Sequence, residues 1–134
     1  MRIIALAAAA TLAMGAAAYA DNEIDDDIRV AGTTVTFEEI EADQSGYIVI
    51  HEVANGVPVV PGSLAHAPVL AGDNDDLAVT LDAPLTPGAG YVAMLHVETN
   101  GNSTYDFGEG STDVDTPVLD DGEPEMEMFA APSN

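Results

Sequence analysis

The chain has 134 residues, of which 24 are acidic and only two are basic, so its formal net charge is −22. Such a surface repels phosphate, which excludes nucleic acid as a partner and disfavours contact with anionic membranes. There is no cysteine, so neither a disulfide framework nor a blue-copper centre can be built.

The first segment, MRIIALAAAATLAMGAAAYA, has a charge at Arg2, an apolar run from Ile3 and small residues at Ala18-Tyr19-Ala20. That order is expected of a secretory signal peptide over residues 1–20 with cleavage after Ala20. The run is alanine-rich and short for a bilayer span, which needs roughly 20 strongly apolar residues. No later stretch is long enough to span, so the exported product is expected to carry no membrane span. Every acidic residue lies after Ala20, where Arg29 alone opposes them. Salt or bound divalent cations would relieve this self-repulsion. Two origins fit such a charge: adaptation to a salty medium, or a set of carboxylates that binds calcium.

Residues 21–32 begin as DNEIDDDI, which has little to bury and reads as an acidic amino-terminal arm. A single domain is expected over 33–131, with 132–134 as a tail. TTVTFEEIEA (33–42) alternates, with Val35 and Phe37 on one side. GYIVIHEV (46–53) follows the turn DQSG. GVPVVPG (56–62) contains Pro58 and Pro61 and suits an edge strand. LAVTLDA (77–83) follows GDNDD, which reads as an acidic turn, and GYVAMLHVE (90–98) follows TPGAG. The last segment, TPVLDDGEPEMEMFA (116–130), turns at Asp121-Gly122. Short runs at this spacing, with no capped helical period, predict an all-β, Ig-like antiparallel β-sandwich of about seven strands. IVIHEVANG (48–56) and AMLHVETNG (93–101) echo one another: apolar residues, a histidine, then an Asn-Gly turn. Equivalent strand-to-loop corners would place both histidines near one rim.

At these two segments the chain resembles a small domain of unknown function found in exported proteins of salt-loving archaea and periplasmic proteins of bacteria. Its signature is a glycine-aromatic strand ending in isoleucine-histidine, then Met-x-His-x-Asp-Thr-Asn-Gly-Asn-x-x-Tyr-Asp-Phe. Gly46, Tyr47, Ile48, Val49, Ile50, His51 and Glu52 carry the first part. Met94, His96, Glu98, Thr99, Asn100, Gly101, Asn102, Tyr105, Asp106 and Phe107 carry the second. The resemblance covers roughly Thr34 to Phe129. Glu98 stands where the family has aspartate, with a longer reach. The resemblance implies an exported β-sandwich and no established catalytic activity.

The segment HVETNGNSTYDFGEG (96–110) offers side-chain oxygens at every second position. Calcium takes six to eight oxygen ligands, and one known loop of about twelve residues supplies them from alternating positions. Counting from Glu98, the matching donors are Asn100, Asn102, the Thr104 carbonyl, Asp106 and Glu109. The glycine that loop requires at its sixth position is Ser103 here, and a strand precedes the loop in place of a helix. A polar turn, with Tyr105 and Phe107 packed on the sandwich edge, needs the same residue types. Asp73, Asp75 and Asp76 could bind a second cation or simply form an exposed hairpin turn.

Alternation along β places Val92, Met94, His96 and Glu98 on one face. His51, Met94 and His96, joined by His66 and the thioethers of Met126 and Met128, form a candidate copper or zinc site. Apolar filling by the methionines and hydrogen-bonded rim histidines explain the same residues. Ser63 precedes His66 by three positions, but no nucleophile elbow or phosphate loop is present, and Asp120-Asp121 suits a solvated turn. The expected protein is therefore an exported, non-enzymatic β-sandwich that binds or supports. Calcium in the 98–109 loop is the candidate ion, and a periplasmic transition-metal protein is the alternative. No motif specifies a protein or glycan partner.

Overall fold

The short β-branched and aromatic runs become strands throughout the computed structural model, which describes residues 22–133. The expected signal peptide lies outside the described residues. In chain order the strands are β1 (Glu23–Ile24), β2 (Ile28–Ala31), β3 (Thr34–Ala42), β4 (Gly46–Ala54), β5 (Val57–Pro58), β6 (Ala65–Val69), β7 (Gly72–Thr80), β8 (Gly90–Val97), β9 (Leu119–Asp120), β10 (Glu123–Pro124) and β11 (Met126–Ala130). Seven of them run for four residues or more, and no helix occurs among the described residues. None therefore is long and apolar enough to cross a membrane.

The fold is an all-β sandwich. In the first sheet β3 is central, with β7 on one side and both β1 and β2 on the other. The second sheet runs β11-β8-β4, and β4 then pairs with β6 along its first half and with β5 at its end. All these pairings are antiparallel. The main core lies between the sheets. Val35, Phe37, Ile40 and Val79 from the first sheet meet Ile48, Ile50, Ala93 and Leu95 from the second. Burying such side chains contributes about 1.5–3 kcal/mol each, which is how a chain without disulfides holds together.

Several expectations are corrected. The acidic arm is not loose: β1 and β2 both pair with β3, because Ile24 is buried and Ile28 and Val30 pack on the core between the charges. GDNDD is not a turn either. It forms the first half of β7, with Asp75 opposite Glu39 and Asp73 opposite Glu41. The inward set of β3 shifts phase, from Val35 and Phe37 to Ile40 and Ala42. β7 shifts with it at Asp76, whose φ is 49°, as the ladder passes from Phe37–Leu77 to Glu39–Asp75. Such local irregularities increase twist and re-aim side chains. Asn74 then closes the corner between β6 and β7. Its carbonyl accepts from Leu70 N at 2.9 Å and its amide donates to the Leu70 carbonyl at 2.8 Å. Of GVPVVPG only Val57 and Pro58 form strand, at the edge position that proline permits. Asn55-Gly56 and Asp121-Gly122 do take positive φ at both residues, as tight turns require.

Candidate functional site

The second sheet is buried on both faces. GYIVIHEV is almost continuously apolar, and β4 is fully buried from Gly46 to His51. Ile48 and Ile50 turn inward to the sandwich core. Tyr47, Val49 and His51 turn outward, as do Val92, Met94 and His96 of β8, because the register sets Tyr47 opposite His96, Val49 opposite Met94 and His51 opposite Val92. This outer face is not solvated. Val49, Val92, His51 and His96 are 0% exposed and Met94 3%. Two irregular segments cover it. Residues 59–64 lie over His51, and residues 98–115 fold back over His96.

The histidines are held from their Nδ1 atoms. His51 Nδ1 donates to the carbonyls of Gly62 at 2.7 Å and Val59 at 3.1 Å. His96 Nδ1 donates to the Asp115 carbonyl at 2.7 Å. A carbonyl only accepts, so Nδ1 carries the proton in both rings and Nε2 presents a lone pair. Burial pushes both imidazoles below their usual range, His96 to about 4. Both are neutral at pH 7. The Nε2 atoms of His51 and His96 and the Tyr105 hydroxyl are buried without a hydrogen-bond partner. The expectation of one shared rim is corrected. β4 and β8 are antiparallel, so the two histidines start from opposite ends of the sheet. They lean together over the Val49–Met94 row until their rings stack at 6.0 Å and 28°.

Aromatic rings complete the cover. Tyr105 meets His96 edge-on at 5.2 Å, and Phe107 meets it at 4.9 Å. His66 lies tilted against Tyr105 at 4.8 Å and edge-on to Tyr47 at 6.0 Å. It is thereby committed to this layer, whereas Ser63 lines an open groove of about 370 Å³ with Glu52, Leu81 and Tyr91. Met126 pairs opposite Met94 and Met128 opposite Val92, both on edge strand β11. They are 38% and 48% exposed, not core filling.

The 98–115 segment is tied by carboxylates. Tyr47 donates its hydroxyl to Glu98 Oε1. Glu98 Oε2 accepts from the backbone amides of Asn100 at 3.0 Å and Gly101 at 2.8 Å. These bonds, Tyr47 first, hold the Glu98 carboxyl below its ordinary range, and burial together with Glu98 raises the Tyr47 phenol. Asp106 Oδ2 accepts from both side-chain amides, Asn100 at 3.0 Å and Asn102 at 2.7 Å, which lowers the Asp106 carboxyl. Thr104 N donates to Asn102 Oδ1 at 3.0 Å. Glu109 stands exposed in the turn closed by the Gly108–Ser111 bridge. Asp115 is the residue that the sequence did not single out. It is fully buried at φ 46°. Its carboxylate accepts from Thr99 N at 3.0 Å and Asp106 N at 2.7 Å, and its own amide donates to Thr99 Oγ1 at 2.8 Å. One side chain thus locks both ends of the loop against β8.

A second acidic group lies on the first sheet, where oxygens of Glu39, Glu41 and Asp73 come within 4.8 Å of one another. A hydrogen bond shared with Asp73 raises the Glu41 carboxyl, and burial followed by Asp73 and Asp75 raises that of Glu39. Asp76 faces another neighbour: Arg29 reaches it at 3.2 Å.

A family described as "Domain of unknown function (DUF7282)" matches residues 21–131. The chain belongs to the DUF7282 family. Two curated proteins are similar to this DUF7282 chain, Cell surface glycoprotein 1 and Cell surface glycoprotein 2 of Haloarcula hispanica. Each is 37% identical over 76 residues, which is 57% of this chain and 8% of the relative. The chain therefore matches a small part of the length of these relatives. No solved structure matches this DUF7282 chain at a significant level.

Proposed function

We propose that the protein is a non-catalytic structural module of the cell surface whose 98–109 loop holds a structural calcium ion. The protein is exported and extracellular, in keeping with relatives that are cell surface glycoproteins. A match to 8% of each relative has the scale of one building unit within a much larger surface chain. The family-like motif sets Tyr105 and Phe107 against His96 of the second sheet, which supports a role in fixing that face.

The observation that carries the calcium reading is the meeting of the Asn100 and Asn102 side chains on one oxygen of Asp106. A half-turn of each amide exchanges its nitrogen for its oxygen, and for Asn102 it gives up the bond from Thr104 N. Three oxygen donors would then surround one point, with the Thr104 carbonyl and Glu109 available to complete the shell. Glu98, engaged by Tyr47 and two backbone amides, fixes the start of the loop. An ion here would also offset the crowding of carboxylates on a chain of net charge −22.

Thermal melts in calcium, in magnesium at equal ionic strength and in chelator test this reading. Calcium at a hundredfold excess over its dissociation constant should stabilise the native state by about 2.7 kcal/mol. Asp106→Asn should remove that gain. Equal midpoints in calcium and chelator, or a calcium shift unchanged in Asp106→Asn, would overturn it.

A further inference from the structure

The layer between the second sheet and its covering segments contains three buried polar atoms that nothing satisfies: His51 Nε2, His96 Nε2 and Tyr105 Oη. A buried polar group without a partner costs about 1–3 kcal/mol, so three in one layer call for an occupant. Both imidazoles have the arrangement of metal-binding histidines. A backbone carbonyl fixes Nδ1–H and the ring orientation, and the free Nε2 points into the protein. In the cross-strand grid Met94 occupies the row between them, with Val49 on one side and Met126 on the other. Two imidazoles bound through Nε2 at roughly 2.0 Å to one ion have centres no more than about 6 Å apart. The His51 and His96 rings stand at 6.0 Å.

We propose that this layer is a binding site for one copper(I) ion, held by His51 Nε2 and His96 Nε2 with the Met94 thioether as third donor. All three ligands are neutral. The nearest buried carboxylate, Asp115, is committed to the Thr99 and Asp106 amides. A monovalent ion costs less to bury among neutral donors than a divalent one. Imidazole suits both copper and zinc, and a thioether shifts the preference to copper(I). Met126, 38% exposed and directly opposite Met94, places a second soft donor at the rim where an ion passes from solvent. The Tyr105 ring stands edge-on to His96, and its hydroxyl is buried in the same layer.

The site is separate from the proposed calcium loop, and the test keeps them apart. Purified protein is titrated with copper(I) under reductant in chloride-free buffer against a chromophoric copper(I) chelator, while the imidazole nitrogen resonances are followed by NMR. The expected result is one ion per chain, with shifts at Nε2 of His51 and His96 and none at His66. Met94→Leu, which preserves shape and volume, should weaken binding about tenfold or more. His51→Phe should abolish it, and Asp106→Asn should leave it intact. If His51→Phe fails to fold, Met94→Leu and the nitrogen shifts still decide. A protein that takes up no copper, uptake that Met94→Leu leaves unchanged, or shifts confined to His66 would overturn the proposal.

Discussion

At the scale of single residues, Asp115 governs the covering segment. Its carboxylate satisfies two backbone amides, its own carbonyl receives His96 Nδ1, and Thr99 returns a bond to its amide. Asp115→Ala removes a buried charged acceptor and leaves the Thr99 and Asp106 amides without partners. We expect a loss of about 3 kcal/mol in chemical denaturation, since a hydrogen bond to a charged group contributes about 1.5–3 kcal/mol and orphaned donors add to the cost. Amide exchange should quicken first at Thr99 and Asp106, and unchanged exchange there would contradict the role. None of this was legible in STDVDTPV, where Asp113 and Asp115 look alike. The difference arises because the chain returns to β8 at residues 116–118, where Val97 N donates to the Thr116 carbonyl at 2.9 Å. His51 and His96, by contrast, stood out as paired candidates because each ends an apolar run. The sequence grouped them on one rim, but antiparallel pairing sends equivalent corners to opposite ends of a sheet, so they meet by leaning together over its middle.

At the scale of elements, the β4–β8 pair is where sequence and structure agree most closely. GYIVIHEV and GYVAMLHV form strands where expected, and the structure buries both on two faces. The glycine that opens β4 has a steric reason. A Cβ at Gly46 would lie 2.0 Å from the carbonyl oxygen of His96. Gly46→Ala must therefore push the strands apart at His96, and we expect about 3 kcal/mol of destabilisation, in the range of backbone clashes in a core. A variant as stable as the parent would show that β8 yields freely. β3 was legible only in part. Val35 and Phe37 follow the alternation, but the phase shift at Glu38-Glu39 depends on Asp76 across the ladder, and no local pattern signals it. The acidic arm departs from expectation for a related reason. Ile24, Ile28 and Val30 are spaced among charges, and their burial follows from β3 being there to receive them. The loops over His51 and His96 carry no sustained apolar periodicity, so the second apolar layer emerges only once they fold back.

For the whole molecule, charge sets the conditions of stability. Arg29 is the one described basic residue, and its pairs with Asp76 at 3.2 Å and Asp27 at 3.6 Å are half exposed, where such pairs contribute little. Like charges face each other directly at Glu23–Glu41, Glu39–Asp75 and Glu41–Asp73. Raising sodium chloride from low to molar concentration shortens the screening length from tens of ångströms to about 3 Å. The melting midpoint should climb across that range, and Glu41→Gln should show a smaller climb because two of the three clashes are already gone. A midpoint independent of salt would separate the charge from the stability of the fold.

The same acidic rail has a consequence for assembly. Among the described residues β7 hydrogen-bonds to β3 on one flank only, which leaves nine residues of backbone on the other flank. An open flank of that length is normally an invitation for a stranger's strand to zip on. Here the newcomer would have to lie beside Asp73, Asp75 and Asp76 and follow a backbone bent at φ 49°. Copies crowded shoulder to shoulder would therefore stay beads on a string and would not fuse into a fibre.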